Sequence, residues 1–62
     1  MKFHKNGKHT YFSEDKQYII NRTFDKEWAI YKLSTIPGLY EYICTYHYLK
    51  DAKTEVKRRV KQ

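Results

Sequence analysis

The stretch Tyr40–Val60, YEYICTYHYLKDAKTEVKRRV, switches its hydrophobic period part-way along with no linker at the switch. From Tyr40 to Tyr48 nearly every residue is aromatic, β-branched or tolerated in a strand. Tyr40, Tyr42, Cys44 and Tyr46 then address one face, and Glu41, Ile43, Thr45 and His47 the other. At Leu49 the period becomes helical, with Leu49, Ala52, Val56 and Val60 three or four apart on one stripe. Lys50, Lys53, Lys57, Arg58 and Lys61 fill the other faces. Asp51 and Glu55 come early and the Lys/Arg cluster late, an order that complements the helix dipole. The upstream chain has to pair with this strand and cover this helix.

That upstream chain reads as strands. Gln17–Phe24 and Trp28–Leu33 are strand-like, joined through Asp25-Lys26-Glu27. A three-residue turn there sets Trp28 opposite Phe24 and Ile30 opposite Arg22. This gathers Tyr18, Ile20, Phe24, Trp28 and Ile30 on one face, and register follows the buried face. The turn has neither Gly nor Asn for a left-handed position. Ser34–Gly38, STIPG, is the next turn. Pairing Leu33 with Leu39 places Ile30 opposite Tyr42 and Trp28 opposite Cys44. The expected core is Tyr18, Ile20, Phe24, Trp28, Ile30, Tyr42, Cys44, Tyr46, Leu49, Ala52 and Val56. Near the N-terminus, Asn6-Gly7 between Lys5 and Lys8 predicts a two-residue hairpin turn within residues 1–12, opposing His4 with His9 and Phe3 with Thr10.

The fold expected is α+β: an antiparallel meander of three to five strands with one C-terminal helix packed on one face. Residues 1–62 form a single domain, with the sheet over 17–48 and the helix over 49–61. A chain of 62 residues buries only about 60% of its unfolded surface, so it depends on large apolar groups. Its 18% aromatic content supplies them, and with only two Gly and one Pro argues against disorder. Cys44 is the only cysteine, which excludes an internal disulfide and favours a reducing cytosol. The N-terminus lacks the apolar segment of a signal peptide, and no apolar run approaches a membrane span.

The residues that carry chemistry do not assemble into a catalytic pattern. Two opposed histidines do not make a zinc site. Cys44 and His47, an odd number of positions apart on a strand, face opposite ways. Neither a metal nor another cofactor is expected. Glu14, Asp15, Asp25, Glu27 and Asp51 lie in turns or at a helix start, where caps and solvated charges are the usual explanation. There is no Gly-rich phosphate loop and no nucleophile motif, so an enzyme is not expected. The face away from the helix carries Ile19, Asn21, Thr23, Ala29, Tyr31, Leu33, Glu41, Ile43, Thr45 and His47. Tyr31, Leu33, Ile43 and His47 are its candidate contacts for a partner or a second copy of the chain. The net charge of +6 and the cluster Lys53, Lys57, Arg58, Arg59 and Lys61 mark the helix as a candidate phosphate surface.

The order strand, strand, strand, helix, with Trp28 and Ile30 on one strand and Tyr46, Leu49, Lys50, Ala52 and Lys53 at the junction, resembles small proteins of phages and other mobile elements. The same layout, over about residues 17–60, is similar to the arm-binding domains of tyrosine recombinases and the plant AP2 domain. The resemblance implies either of two roles. One is an accessory protein that binds and inhibits or modulates a host protein or nucleoprotein, such as a defence or nucleic-acid-processing complex, in the host cytoplasm. The alternative is a DNA- or RNA-binding domain using its basic helix or sheet. In the DNA-binding relatives the exposed sheet enters the major groove and carries Arg, Trp and Lys. Here Arg22 and Lys32 fall on the helix-facing side, and the exposed face has Glu41 and no basic residue except His47. Protein binding therefore ranks first.

Overall fold

The structure, a computed structural model, describes residues 2–60. Five strands follow in order, β1 (Phe3–Lys5), β2 (Thr10–Ser13), β3 (Tyr18–Arg22), β4 (Trp28–Leu33) and β5 (Tyr40–Tyr46), and then the helix α1 (Leu49–Val60). The strands form one antiparallel sheet in chain order, so every connection is a hairpin and the architecture is an α+β meander. Helix α1 packs on β3, β4 and β5. Ala52 and Val56 are fully buried against Ile20 and Ile30, with Tyr18 beside them. Phe3, Tyr11, Trp28, Ile43, Cys44, Tyr46, Leu49 and Val60 ring this centre. The expected helical stripe is the buried one. Lys61 lies outside the described residues.

Three hairpin registers differ from those expected, each for a local reason. Between β3 and β4, Trp28 opposes Arg22, and Ile30 opposes Ile20. The loop is three residues long, but they are Phe24, Asp25 and Lys26. Lys26 itself takes the left-handed position, with φ 64°. Thr23 closes the turn: its carbonyl accepts the Lys26 N–H at 3.1 Å and its N–H donates to the Glu27 carbonyl at 2.7 Å. Its hydroxyl accepts the Glu27 N–H at 3.0 Å. This slip of two residues keeps Trp28 and Ile30 on the same face but ejects Phe24. Its side chain is 103% exposed at the loop tip rather than in the core.

Between β4 and β5 the register starts at Leu33–Tyr40, one residue from the expected Leu33–Leu39. Ser34 N–H donates to the Leu39 carbonyl at 2.8 Å, and Gly38 supplies φ 80°. A one-residue slip turns every side chain over, so Tyr42 opposes Tyr31 on the side away from the helix and is 60% exposed. A bulge then follows: Tyr31 pairs with Tyr42 but Ile30 pairs with Cys44, leaving Ile43 as the extra residue. The bulge restores the parity, and Cys44 and Tyr46 face the helix with Ile30 and Trp28. Ile43 packs against the buried cluster and Glu41 opposes Lys32, so neither belongs to the outer face as expected.

Asn6-Gly7 does not close a two-residue turn. Asn6 N–H donates to the Thr10 carbonyl at 2.8 Å, and Gly7 takes φ 82° within a longer loop. His4 opposes Phe12, not His9, and Phe3 opposes Ser13, not Thr10. The two-residue register would have opposed Lys5 with Lys8. The observed one sets Lys5 beside Tyr11, with its Nζ 5.9 Å from the ring centroid. Phe3 and Tyr11 then reach the core cluster.

The β2–β3 loop is fastened by Ser13, which is fully buried. Its hydroxyl donates to Asp15 Oδ1 at 2.6 Å and accepts the Tyr18 N–H at 3.1 Å. Asp15 also accepts the Gln17 N–H at 3.0 Å. The Ser13 hydroxyl, and then the Gln17 amide, hold the Asp15 carboxyl below the usual carboxylate range. Lys16 completes the turn at φ 61°.

Candidate functional site

Directly opposed residues in an antiparallel sheet share a face. The pairs His4–Phe12, Phe12–Ile19, Ile19–Tyr31 and Tyr31–Tyr42 therefore form one continuous row across all five strands on the face opposite α1. At about 4.8 Å per strand the row is about 19 Å long. The Tyr31 and Tyr42 rings meet edge to face at 5.8 Å. The Tyr42 hydroxyl lies 2.7 Å from Thr45 Oγ1, which fixes the ring along β5. Beside this row runs a second, Asn21–Ala29–Thr45 with Thr10 opposite Asn21, polar except at the buried Ala29. The Thr10 hydroxyl donates to Asn21 Oδ1 at 2.6 Å. Leu33 and Tyr40 oppose each other in a third row. No strand residue on this face is Lys, Arg, Asp or Glu. At its β1–β2 end an open cleft of about 350 Å³ is lined by His4, Lys5, Asn6, Phe12 and Lys16.

Of the four contact residues expected from sequence, the structure places Tyr31 and Leu33 on this face. Ile43 is turned into the core side by the bulge. His47 lies past the end of β5, its ring 4.6 Å from Tyr48 and its Nδ1 3.8 Å from Glu27 Oε2, away from the aromatic row. His4, Phe12 and Tyr42 were not anticipated. Phe12 and His4 depend on a hairpin register that Asn-Gly misreported, and Tyr42 on a one-residue slip at the β4–β5 turn for which the sequence carries no marker.

The basic helix is less available than its composition suggests. Glu55 is 7% exposed, on the helix side facing the sheet. Arg58 donates to Glu55 Oε1 at 2.9 Å and to Oε2 at 2.7 Å through Nη2, and to Oε1 at 3.1 Å through Nε. Arg59 Nε donates to Oε2 at 2.7 Å. The Arg58 hydrogen bonds lead in holding the Glu55 carboxyl below its ordinary range, against the opposing effect of burial. Burial first, and then the Glu55 charge, push the nearby Tyr46 phenol up. Lys53 stands 4.7 Å from the Tyr11 centroid and 5.5 Å from that of Phe3. Of the expected phosphate-binding residues, Lys53, Arg58 and Arg59 thus have intramolecular partners, Lys57 is exposed, and Lys61 lies outside the described residues. Arg22 and Lys32 lie, as expected, on the helix-facing side, 5.8 and 6.0 Å from the Trp28 and Tyr18 rings.

Among the described residues, no three of His, Cys, Asp and Glu cluster closely enough to hold a metal ion. No described helix is long and apolar enough to cross a membrane. No protein-family model, curated protein or solved structure matches the chain.

Proposed function

We propose that this chain is a non-enzymatic accessory protein that acts by contact, docking the uncovered sheet face against a partner protein or the protein part of a nucleoprotein. The observation that carries this is the row His4–Phe12–Ile19–Tyr31–Tyr42, a largely aromatic strip spanning the sheet on a face whose strand residues include no Lys, Arg, Asp or Glu. Aromatic anchors dominate the energetics of protein interfaces. Single- or double-stranded nucleic acid instead calls for cations along the path of its phosphates. Here the strand residues of the face supply none, and two helix arginines are bound to Glu55. In keeping with the phage-protein resemblance, the proposed setting is a host cytosol and the proposed effect is occlusion or redirection of a host complex.

The test is affinity capture of partners from host lysate, with and without nuclease, using the wild type, Tyr31→Ala/Tyr42→Ala and Lys50→Glu/Lys57→Glu. The tyrosine variant is expected to lose its partners, at about 2 kcal/mol or more for a central anchor. The lysine variant should keep them, with an altered association rate. Capture that vanishes with nuclease, or survives the tyrosine double variant, overturns the proposal.

A further inference from the structure

The cleft at the β1–β2 end of the outer face gives that face a chemical polarity. Its lining of His4, Lys5, Asn6, Phe12 and Lys16 offers an aromatic floor, an amide and cationic groups, and no carboxylate. The two acids that immediately precede Lys16 in the chain have partners of their own. Asp15 accepts from Ser13 and Gln17, and Glu14 Oε2 accepts the Lys2 N–H at 3.2 Å. Lys5 directs its ammonium toward Tyr11, on the helix-covered side. Lys16 therefore stands as the cation of the cleft, and among the described residues it makes no ion pair. Its backbone is fixed by the turn, with its N–H donating to the Ser13 carbonyl at 2.9 Å.

We propose that this cleft receives an Asp or Glu side chain of a partner protein, whose following apolar residues lie along Phe12, Ile19, Tyr31 and Tyr42. The inference rests on the protein-binding reading above and specifies the chemistry of that partner. Charge complementarity selects the occupant. A second copy docked face to face about a two-fold axis would present the same patch. It would bring the Lys16 ammonium and no carboxylate, on a chain that already carries +6. A nucleic-acid strand would lay phosphates over the whole strip of about 19 Å, where cations stand at one end only. An extended acidic–apolar segment of about six residues, at about 3.3 Å each, matches both the length and the polarity of the strip.

The test is selection of a random heptapeptide display library on the immobilised full-length protein and on Lys16→Asn, Lys16→Glu and Tyr31→Ala, with a short oligothymidylate titrated separately. Asn tolerates a left-handed backbone, so Lys16→Asn retains the turn; thermal melts verify the fold of each variant. Peptides enriched on the wild type should carry Asp or Glu at one end of an apolar run. Their affinity should fall about tenfold on Lys16→Asn, the loss of one charge-assisted contact. Lys16→Glu should shift the enriched position toward Lys or Arg. Enriched peptides that lack an acidic position, or keep it on Lys16→Glu, overturn the inference. If those peptides still fail on Tyr31→Ala, the docking face itself stands. No enrichment, enrichment indifferent to Tyr31→Ala, or tight oligothymidylate binding lost on Tyr31→Ala overturns both.

Discussion

Ile30→Ala and Phe24→Ala form a pair that discriminates the observed β3–β4 register from the alternative the pattern suggests. Ile30 has no exposed surface and is flanked on its strand neighbours by Ile20 and Cys44. Truncation removes three carbons at about 0.8 kcal/mol each, about 2.4 kcal/mol of transfer free energy. Incomplete collapse of the cavity widens the expected cost to about 2–5 kcal/mol. A domain of this length has about 3–9 kcal/mol in total, from about 0.05–0.15 kcal/mol per residue. The variant should therefore be partly unfolded or close to it. Phe24 is fully solvated at the loop tip, so its truncation should change stability by no more than about 0.5 kcal/mol. Were Phe24 opposite Trp28 and buried, the same truncation would cost about 3–5 kcal/mol. Urea denaturation followed by fluorescence of the single tryptophan, Trp28, and by circular dichroism measures both. A Phe24→Ala cost above about 2 kcal/mol would refute the register, and an Ile30→Ala cost below about 1 kcal/mol would refute the burial of Ile30 beneath the helix.

Two further predictions rest on the turn and the helix. Lys26→Gly should stabilise by about 0.5–1 kcal/mol, because a left-handed L-residue costs about 1–2 kcal/mol and glycine returns part of that as backbone entropy; an unchanged or lowered melting temperature would contradict the strained turn. For Glu55→Gln the sign follows from a folded-state pKa lowered chiefly by Arg58. The carboxylate's contribution is present above the unfolded value of about 4.3 and fades as pH falls through the lower folded value. The stability gap between wild type and Glu55→Gln should therefore be widest near neutral pH and narrow in acid; a gap that widens on acidification would be inconsistent with the Arg58–Glu55–Arg59 arrangement.

The sequence by itself determined the α+β class, the span of β4, the helix and its buried stripe. Those follow from local periodicity: Ala52 and Val56 repeat at helical spacing, and Trp28–Leu33 is strand-like throughout. It also placed Tyr31 and Leu33 on the outer face and Arg22 and Lys32 on the inner one, because the β3–β4 slip was even and preserved parity. Only the tertiary structure decided which residues make the outer row. An odd slip at Leu33–Tyr40, cancelled one turn of the ladder later by the extra residue Ile43, sends Tyr42 outward and Ile43 inward. Neither shift leaves a local signal, because the register is set by which side chains the helix can bury. The same holds for the N-terminal hairpin, where packing of Phe3 and Tyr11 overrides the turn preference of Asn6-Gly7 and brings His4 beside Phe12. In sequence Glu55 reads only as an early acid that complements the helix dipole. Its pairs with Arg58 and Arg59 are i,i+3 and i,i+4 contacts that any helix allows, but its burial depends on the packing of α1 against the sheet.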